Sequence, residues 1–266
     1  MIAINGNTKI LGLIGGNPSK SKSFRMQNAA ISALGLDAVY LPLIPNMKNP
    51  EEIRSILNIA NFIGANVTVP YKELLLPILD ELSPCAKAIG AINTIIKKDG
   101  KLLGDNTDWI GFLDAIDHYS LPWKDYPVYL LGAGGAAKAI CFALQHLGVT
   151  AIHCWNRNPQ KIQTLSPFLD VQYWDREHLP IKAIIIQCTP LGMQGETALP
   201  GIQFSKKHVY IDLIYNNTPT LNKANAQAKL AIDGMGMLVH QAAHSFSKWF
   251  GCPPPIQAMY QSLEHT

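Results

Sequence analysis

The sequence predicts an α/β protein of two domains, each a mainly parallel sheet covered by helices, with a cleft between them. Three observations carry that prediction. Short apolar runs alternate with helix-period segments from residue 10 onward, the pattern of strands joined by crossover helices. The same alternation restarts at Val128-Tyr-Leu-Leu-Gly132, after a connector Pro122-Trp-Lys-Asp-Tyr-Pro127. The length of 266 residues, with 48% hydrophobic and 15% charged residues, is enough for two modest cores.

Taken in order, residues 10–15 read as a strand, 24–34 as a helix and 38–44 as a strand. Residues 50–60 read as a helix and 65–69 as a strand that stops at Pro70. Asn93-Thr-Ile-Ile-Lys-Lys-Asp-Gly-Lys-Leu-Leu-Gly-Asp-Asn106 reads as a hairpin around Lys-Asp-Gly. A helix is expected from Trp109, capped by Thr107 or Asp108. In the second block, strands are expected at 128–132, 151–155, 183–188 and 208–213, with a helix at 136–147. From about 238 the pattern is helical again, broken once by Pro253-Pro-Pro255. The expected division is residues 1–108 with about 238–266 as one domain and 109–237 as the other.

Bulk properties exclude several classes. A formal charge of +3, pI near 8.5 and no Lys/Arg block give no nucleic-acid footprint. No apolar run reaches the roughly 18 residues that span a bilayer, and the N-terminus reads as a strand rather than a signal peptide. Basic residues here suit small anions, so a small-molecule substrate is expected. Cys85, Cys141, Cys154, Cys188 and Cys252 are scattered, with no C-x-x-C or zinc spacing. They read as free thiols of a cytoplasmic protein. His240 and His244 are four apart in a predicted helix, but no third ligand is evident and no metal is expected. No interface stripe stands apart from core, which leaves monomer or homodimer.

The stretch Gly132-Ala-Gly-Gly-Ala-Ala137 fits G-x-G-x-x-A between a strand and a helix. Gly132 permits the tight turn, Gly134 lets backbone approach a pyrophosphate, and Ala137 keeps the helix close to the strand. Gly132, Ala133, Gly134, Gly135 and Ala136 are therefore the expected dinucleotide loop of a Rossmann domain, its anion resting on the helix N-terminus. The next strand ends in Asn156-Arg-Asn158, where an NAD site usually carries an acid for the ribose 2′-hydroxyl. Arg157 instead offers a fork for a 2′-phosphate, and Lys161 adds charge. The expected cofactor is NADP(H).

If the second block binds a nicotinamide dinucleotide, the first should hold what is oxidised or reduced. Its polar residues gather at predicted strand ends: Ser21 and Ser23, then Asn66, Thr68 and Lys72, then Asn93, then Asp108. Here the chain resembles the shikimate dehydrogenase family along nearly its whole length. The motifs are S-x-S at 21–23, N-V-T-x-P-x-K at 66–72, G-A-x-N-T at 90–94 and N-T-D-x-x-G at 106–111. They continue with G-A-G-G-A at 132–136, N-R at 156–157, T-P-x-G-M at 189–193, D-x-x-Y at 212–215 and G-x-G-M-L-V-x-Q at 234–241.

The resemblance implies reversible NADPH-dependent reduction of 3-dehydroshikimate to shikimate, in aromatic amino acid biosynthesis. It implies that Ser21 and Ser23 bind the substrate carboxylate, with Tyr215 near it. Asn66, Thr68, Asn93, Asp108 and Gln241 would bind the substrate around its ring, and Lys72 and Asp108 would be the catalytic pair. The dinucleotide loop, Asn156, Arg157, Lys161 and Thr189 would hold the cofactor, with Leu213 and Gly234 at the nicotinamide end. A quinate/shikimate dehydrogenase is the alternative within this chemistry, and a non-catalytic NADP-binding sensor the alternative outside it. Three departures stand out: Lys20 where the family usually has His, Gln187-Cys-Thr189 for Asn-Ala-Thr, and Asn216-Asn-Thr-Pro-Thr220 after Tyr215.

Overall fold

The computed structural model describes residues 4–16, 21–43 and 50–264. Lys20 lies outside them. The chain divides into two compact units, Met1–Gly111 with Val239–Thr266, and Phe112–Leu238. Among the described residues no helix is long and apolar enough to cross a membrane.

The first unit begins with β1 (Lys9–Ile14), α1 (Ser23–Ala33), β2 (Ala38–Leu43), α2 (Pro50–Leu57) and β3 (Phe62–Val67). It continues with α3 (Tyr71–Leu74), β4 (Glu81–Leu82), α4 (Pro84–Ile89), β5 (Thr94–Lys98) and β6 (Lys101–Asp105). The sheet order is β2-β1-β3-β5-β6-β4. β1 pairs in parallel with β2 and β3, whereas β5 is antiparallel to both β3 and β6. The expected hairpin is present, and its turn residues Asp99 (φ 51°) and Gly100 (φ 76°) both take the left-handed conformation that primed hairpin turns require. β4, two residues beside β6, has too little sequence to leave a periodic signal.

The core of this unit packs Ile14, Phe62, Ala65, Val67 and Ile95 of the sheet against Ile53 and Leu57 of α2, Tyr71 of α3 and Leu75 just after it. β3 starts and stops earlier than its expected 65–69, so Thr68 falls just past its end. The turn after it is closed by a hydrogen bond from Tyr71 N to Thr68 O at 2.9 Å. That places Lys72 in the short α3, pinned from behind by Ile92 N on Lys72 O at 2.8 Å.

α5 (Asp108–Ile116) carries the chain out of the first unit. The helix starts at Asp108, as expected to within one residue. Asn106 Oδ1 accepts from Asp108 N at 3.0 Å, while Asp108 turns its carboxylate elsewhere.

The second unit holds β7 (Val128–Leu131), α6 (Gly135–His146), β8 (Ala151–Trp155), β9 (Asp170–Tyr173), β10 (Ala183–Gln187), β11 (His208–Asp212), α7 (Pro219–Gln227) and β12 (Leu230–Ile232). All strands are parallel, in the order β12-β11-β10-β7-β8-β9. Counted from β7 this is the strand order of the dinucleotide-binding fold. The four expected strands are all present; β9 and β12, at the two edges, were not expected. An edge strand is covered on fewer sides and need not be a continuous apolar run. Cys141 and Cys154 are buried here, and burial pushes the Cys154 thiol up to about 12 and Cys141 higher still.

α8 (Met235–Phe250) returns the chain to the first unit, and α9 (Ile256–Gln261) packs on α1.

Candidate active site

In the first unit, β3, the β5–β6 hairpin, the start of α5 and the middle of α8 bring their polar side chains together. Lys72 Nζ forms an ion pair with Asp108 Oδ2; the lysine side chain is 15% exposed and the aspartate 6%. Asn93 Nδ2 donates to Asp108 Oδ1 at 2.8 Å. The carboxylate is thus buried with a cation on one oxygen and an amide on the other, the condition under which a buried charge is tolerated.

Asn93 is the hub. Its Oδ1 accepts from Thr107 N at 2.7 Å and from Thr94 Oγ1 at 2.9 Å. Its Nδ2 also lies 2.9 Å from Thr107 Oγ1 and 3.2 Å from Gln241 Oε1. Gln241 reaches this point because α8 and α5 touch at Gly111, where a Cβ would sit 2.5 Å from Gln241 N. Only glycine permits that approach. Further along α8, Lys248 Nζ lies 2.7 Å from Asp105 Oδ2, and Trp249 Nε1 donates to Ile95 O at 2.9 Å. Burial pushes the Asp105 carboxyl up, but Lys248, Ser83 and Cys85 outweigh it and hold the group below its usual range.

Asn66 sits beneath this cluster, buried, with its carboxamide engaged on every side. Tyr40 Oη donates to its Oδ1 at 2.9 Å, and its Nδ2 donates to Ser245 Oγ at 2.9 Å and Asn93 O at 3.2 Å. Thr68 is half-buried and Thr68 N is held by Ile14 O at 2.9 Å. Ser21 and Ser23 stand at the start of α1, where Ser21 Oγ accepts from Ser23 N at 3.2 Å. No side chain caps that helix end, and no acid lies in its first turn.

In the second unit, Gly132 has φ 109°, which only glycine adopts without strain, and its N–H bonds to Trp155 O at 2.7 Å. Gly134 precedes α6, exposed, with nothing within 4 Å of where a Cβ would stand. No side chain caps α6 and its first turn has no acid. A helix of this length with open first-turn N–H groups fits a diphosphate. Ala133 is buried, while Gly135 and Ala136 are half-exposed at the turn. Asn156 donates to Asn158 O at 2.7 Å, and Arg157 and Lys161 are exposed. Among the described residues neither cation pairs with a carboxylate.

Thr189 packs beside the loop: a Cβ on Gly132 would meet its methyl at 3.0 Å. Gln187, one of the departures, organises this segment. Its Oε1 accepts from Thr189 N and Thr189 Oγ1 at 2.9 and 3.0 Å, and its Nε2 donates to Leu191 O at 2.9 Å. Leu213 and Gly234 meet backbone to backbone, a Cβ on Gly234 falling 2.2 Å from Leu213 O. Tyr215 lies in the turn after β11, half-buried. That turn is built by Asp212, which accepts from Ile214 N at 3.0 Å and Thr218 Oγ1 at 2.8 Å. Thr218, within the third departure, is therefore structural.

Sequence reasoning missed Tyr40, Thr94, Thr107, Ser245 and the Asp105–Lys248 pair. The available signal was helical spacing: Gln241, Ser245 and Lys248 fall on one face of α8. His240 packs its ring edge-on to Tyr260 at 6.1 Å. Among the described residues the one grouping with metal-type side chains is Asp175, Glu177 and His178, all exposed.

A family model described as Shikimate dehydrogenase substrate binding domain matches residues 13–95, and one described as Shikimate 5'-dehydrogenase C-terminal domain matches 234–264. The shikimate dehydrogenase (NADP(+)) of Trichormus variabilis is 36% identical, across 98% of this chain and 98% of its own. The crystal structure of shikimate dehydrogenase from Aquifex aeolicus is similar with a TM-score of 0.91 at 35% identity, covering 98% of this chain and 100% of that one. Shikimate 5-dehydrogenase from Thermus thermophilus, solved in complex with NADP(H) and shikimate, gives 0.85 at 32% identity over 96% of this chain and 98% of its own. With both units, the buried Lys72–Asp108 pair and these full-length likenesses in agreement, the chain belongs to the shikimate dehydrogenase family.

Proposed function

We propose that this protein reduces 3-dehydroshikimate to shikimate, reversibly, with NADPH as the reductant. The observation that carries the reading is the Lys72–Asp108 pair, largely buried and braced by Asn93, in a chain of this family. When bound, NADPH supplies the hydride to the carbonyl carbon. The protein's task is the proton. The Lys72 ammonium has three N–H donors, of which Asp108 takes one, leaving others for the substrate oxygen. As charge grows on that oxygen the ammonium stabilises it and then protonates it. Its partial exposure lets the amine recover a proton from solvent. Asp108 holds Lys72 in place, and its remaining lone pairs can accept a ring hydroxyl.

Around this pair, Thr68, Asn93 and Gln241 bind ring hydroxyls. Ser21 and Ser23, with the open N-terminus of α1, take the carboxylate. Tyr215 near the carboxylate rests on the resemblance alone. Asn66 acts from behind: its engaged carboxamide supports a bracing role rather than direct substrate contact. In the second unit the loop at 132–136, backed by Thr189, holds the diphosphate, and Arg157 and Lys161 take the 2′-phosphate. Asn156 orders the turn that presents them, and Leu213 and Gly234 border the nicotinamide.

The test is absorbance at the NADPH band with shikimate or quinate, each with NADP+ or NAD+. The expected order puts shikimate with NADP+ first in kcat/KM. A higher value for quinate would move the assignment to the quinate branch. No turnover with any pair would overturn the reading in favour of a non-catalytic sensor.

A further inference from the structure

A continuous line of buried donors runs from Tyr40 to Asp108. Tyr40 Oη donates to Asn66 Oδ1 at 2.9 Å, and Asn66 Nδ2 donates to Ser245 Oγ at 2.9 Å. Ser245 Oγ lies 2.7 Å from Thr94 Oγ1, which donates to Asn93 Oδ1 at 2.9 Å. Asn93 Nδ2 then donates to Asp108 Oδ1 at 2.8 Å. From Tyr40 to Asn93 no member is more than 6% exposed, so water does not compete for these bonds.

Asn66 occupies Ser245 Oγ as an acceptor, so the serine proton must point onward. The acceptors around it are Thr94 Oγ1 at 2.7 Å, Gln241 O at 3.0 Å and Thr107 Oγ1 at 3.1 Å. Thr94 gives its proton to Asn93 Oδ1 at 2.9 Å and packs its hydroxyl against Ser245. From Thr94 onward the donors run toward the carboxylate. Aligned donors polarise one another, so each link strengthens the next. The last link has a steric consequence too. An asparagine amide has two orientations of nearly equal shape, and the flipped one would set Oδ1 against Asp108. Thr94 and Thr107 N, both donating to Oδ1, exclude it.

We propose that Ser245 and Thr94 are positioning residues for proton transfer: they lock Asn93 with its N–H edge on Asp108, and so hold Lys72 at the reacting oxygen. This rests on the reading of Lys72 and Asp108 as the catalytic pair. Both residues are fully buried.

The experiment compares Ser245→Ala and Thr94→Val with the conservative Ser245→Thr and Thr94→Ser, each alone and combined with Lys72→Met. Melting temperature is followed throughout. The expected result is a kcat loss of about tenfold in Ser245→Ala and Thr94→Val, the scale of one buried hydrogen bond. KM should change little, and the hydroxyl-retaining variants should recover most of the rate. In the Lys72→Met background the same changes should add almost nothing, because the effect passes through Lys72. Should Ser245→Ala fail to fold, Tyr40→Phe removes only the first donor and should give a smaller loss of the same kind. Folded Ser245→Ala and Thr94→Val enzymes with normal kcat, or losses that multiply with Lys72→Met, would overturn the proposal while leaving the catalytic pair intact. Wild-type kcat in Lys72→Met alone would instead remove the pair, and the positioning role with it.

Discussion

Asn93 and Lys72 share one carboxylate: the amide nitrogen stands 2.8 Å from Asp108 Oδ1, and the ammonium takes Oδ2. The two donors differ in kind. An amide cannot release a proton at working pH, whereas an ammonium can, so one carboxylate holds a fixed donor on one oxygen and a titratable one on the other.

Lys72→Met keeps the length of the side chain and removes the proton. It should lower kcat by about 10²–10⁴-fold, the range for a general acid, with KM within a few-fold. Steady-state kinetics with shikimate decides it. A near-normal kcat would take Lys72 out of the mechanism.

Arg157→Asp should cost far more affinity for NADP(H) than for NAD(H). The new carboxylate repels a 2′-phosphate but can accept from a ribose 2′-hydroxyl. Titrating both cofactors by protein fluorescence reads the ratio, and equal losses would contradict the role given to Arg157.

Gly111→Ala should destabilise the first unit by about 1–3 kcal/mol, the usual cost of overpacking. The added methyl would collide with backbone at Gln241, 2.5 Å from its N and 2.7 Å from its Cα. Because the displaced residue borders Asn93, KM for shikimate should rise as well. A melting curve and a KM unchanged from wild type would mean that the helices separate at no cost.

Asp105 gives a pH signature. Its folded carboxyl is held below the usual range, so its stabilising contribution is full above the unfolded value of about 4. It is lost as pH falls through the lower folded value. Asp105→Asn should therefore be less stable than wild type at pH 7, by about 1 kcal/mol because Lys248 is partly exposed. The gap should close in strongly acid solution, as thermal melts across pH would record. A constant gap would mean the ion pair with Lys248 is not its source.

Much of this was legible before the structure. The Gly132 turn, the hairpin and the Lys72–Asp108–Asn93 grouping all follow from local patterns or from motifs in sequence order. What was not legible depends on distant partners. Asn66 reads as a ligand from its motif, and only Tyr40 and Ser245, far from it in sequence, reveal that its amide is occupied. Asp108 reads as a cap from its place before a helix. Its carboxylate pairs with Lys72, while its N–H donates to Asn106 Oδ1. β9 and β12 escaped because edge strands lack the unbroken apolar run of central ones. Gln187 read only as a departure, until its contacts with Thr189 and Leu191 gave it a task.

The chain leaves the first unit within α5 and returns to it within α8, so the second unit is an insertion in the first. On the ribosome this reverses the usual order of completion. The nucleotide-fold half is contiguous and can close as soon as it emerges. The half translated first must wait for the final helices, because Gln241, Ser245, Lys248 and Trp249 supply bonds to Thr107, β3, β6 and β5 respectively. A nascent chain stalled after residue 238 should thus hold a protease-resistant 112–238 segment beside a still-cleavable N-terminal portion. The nucleotide fold would thus form before the cluster around Lys72 and Asp108 is complete.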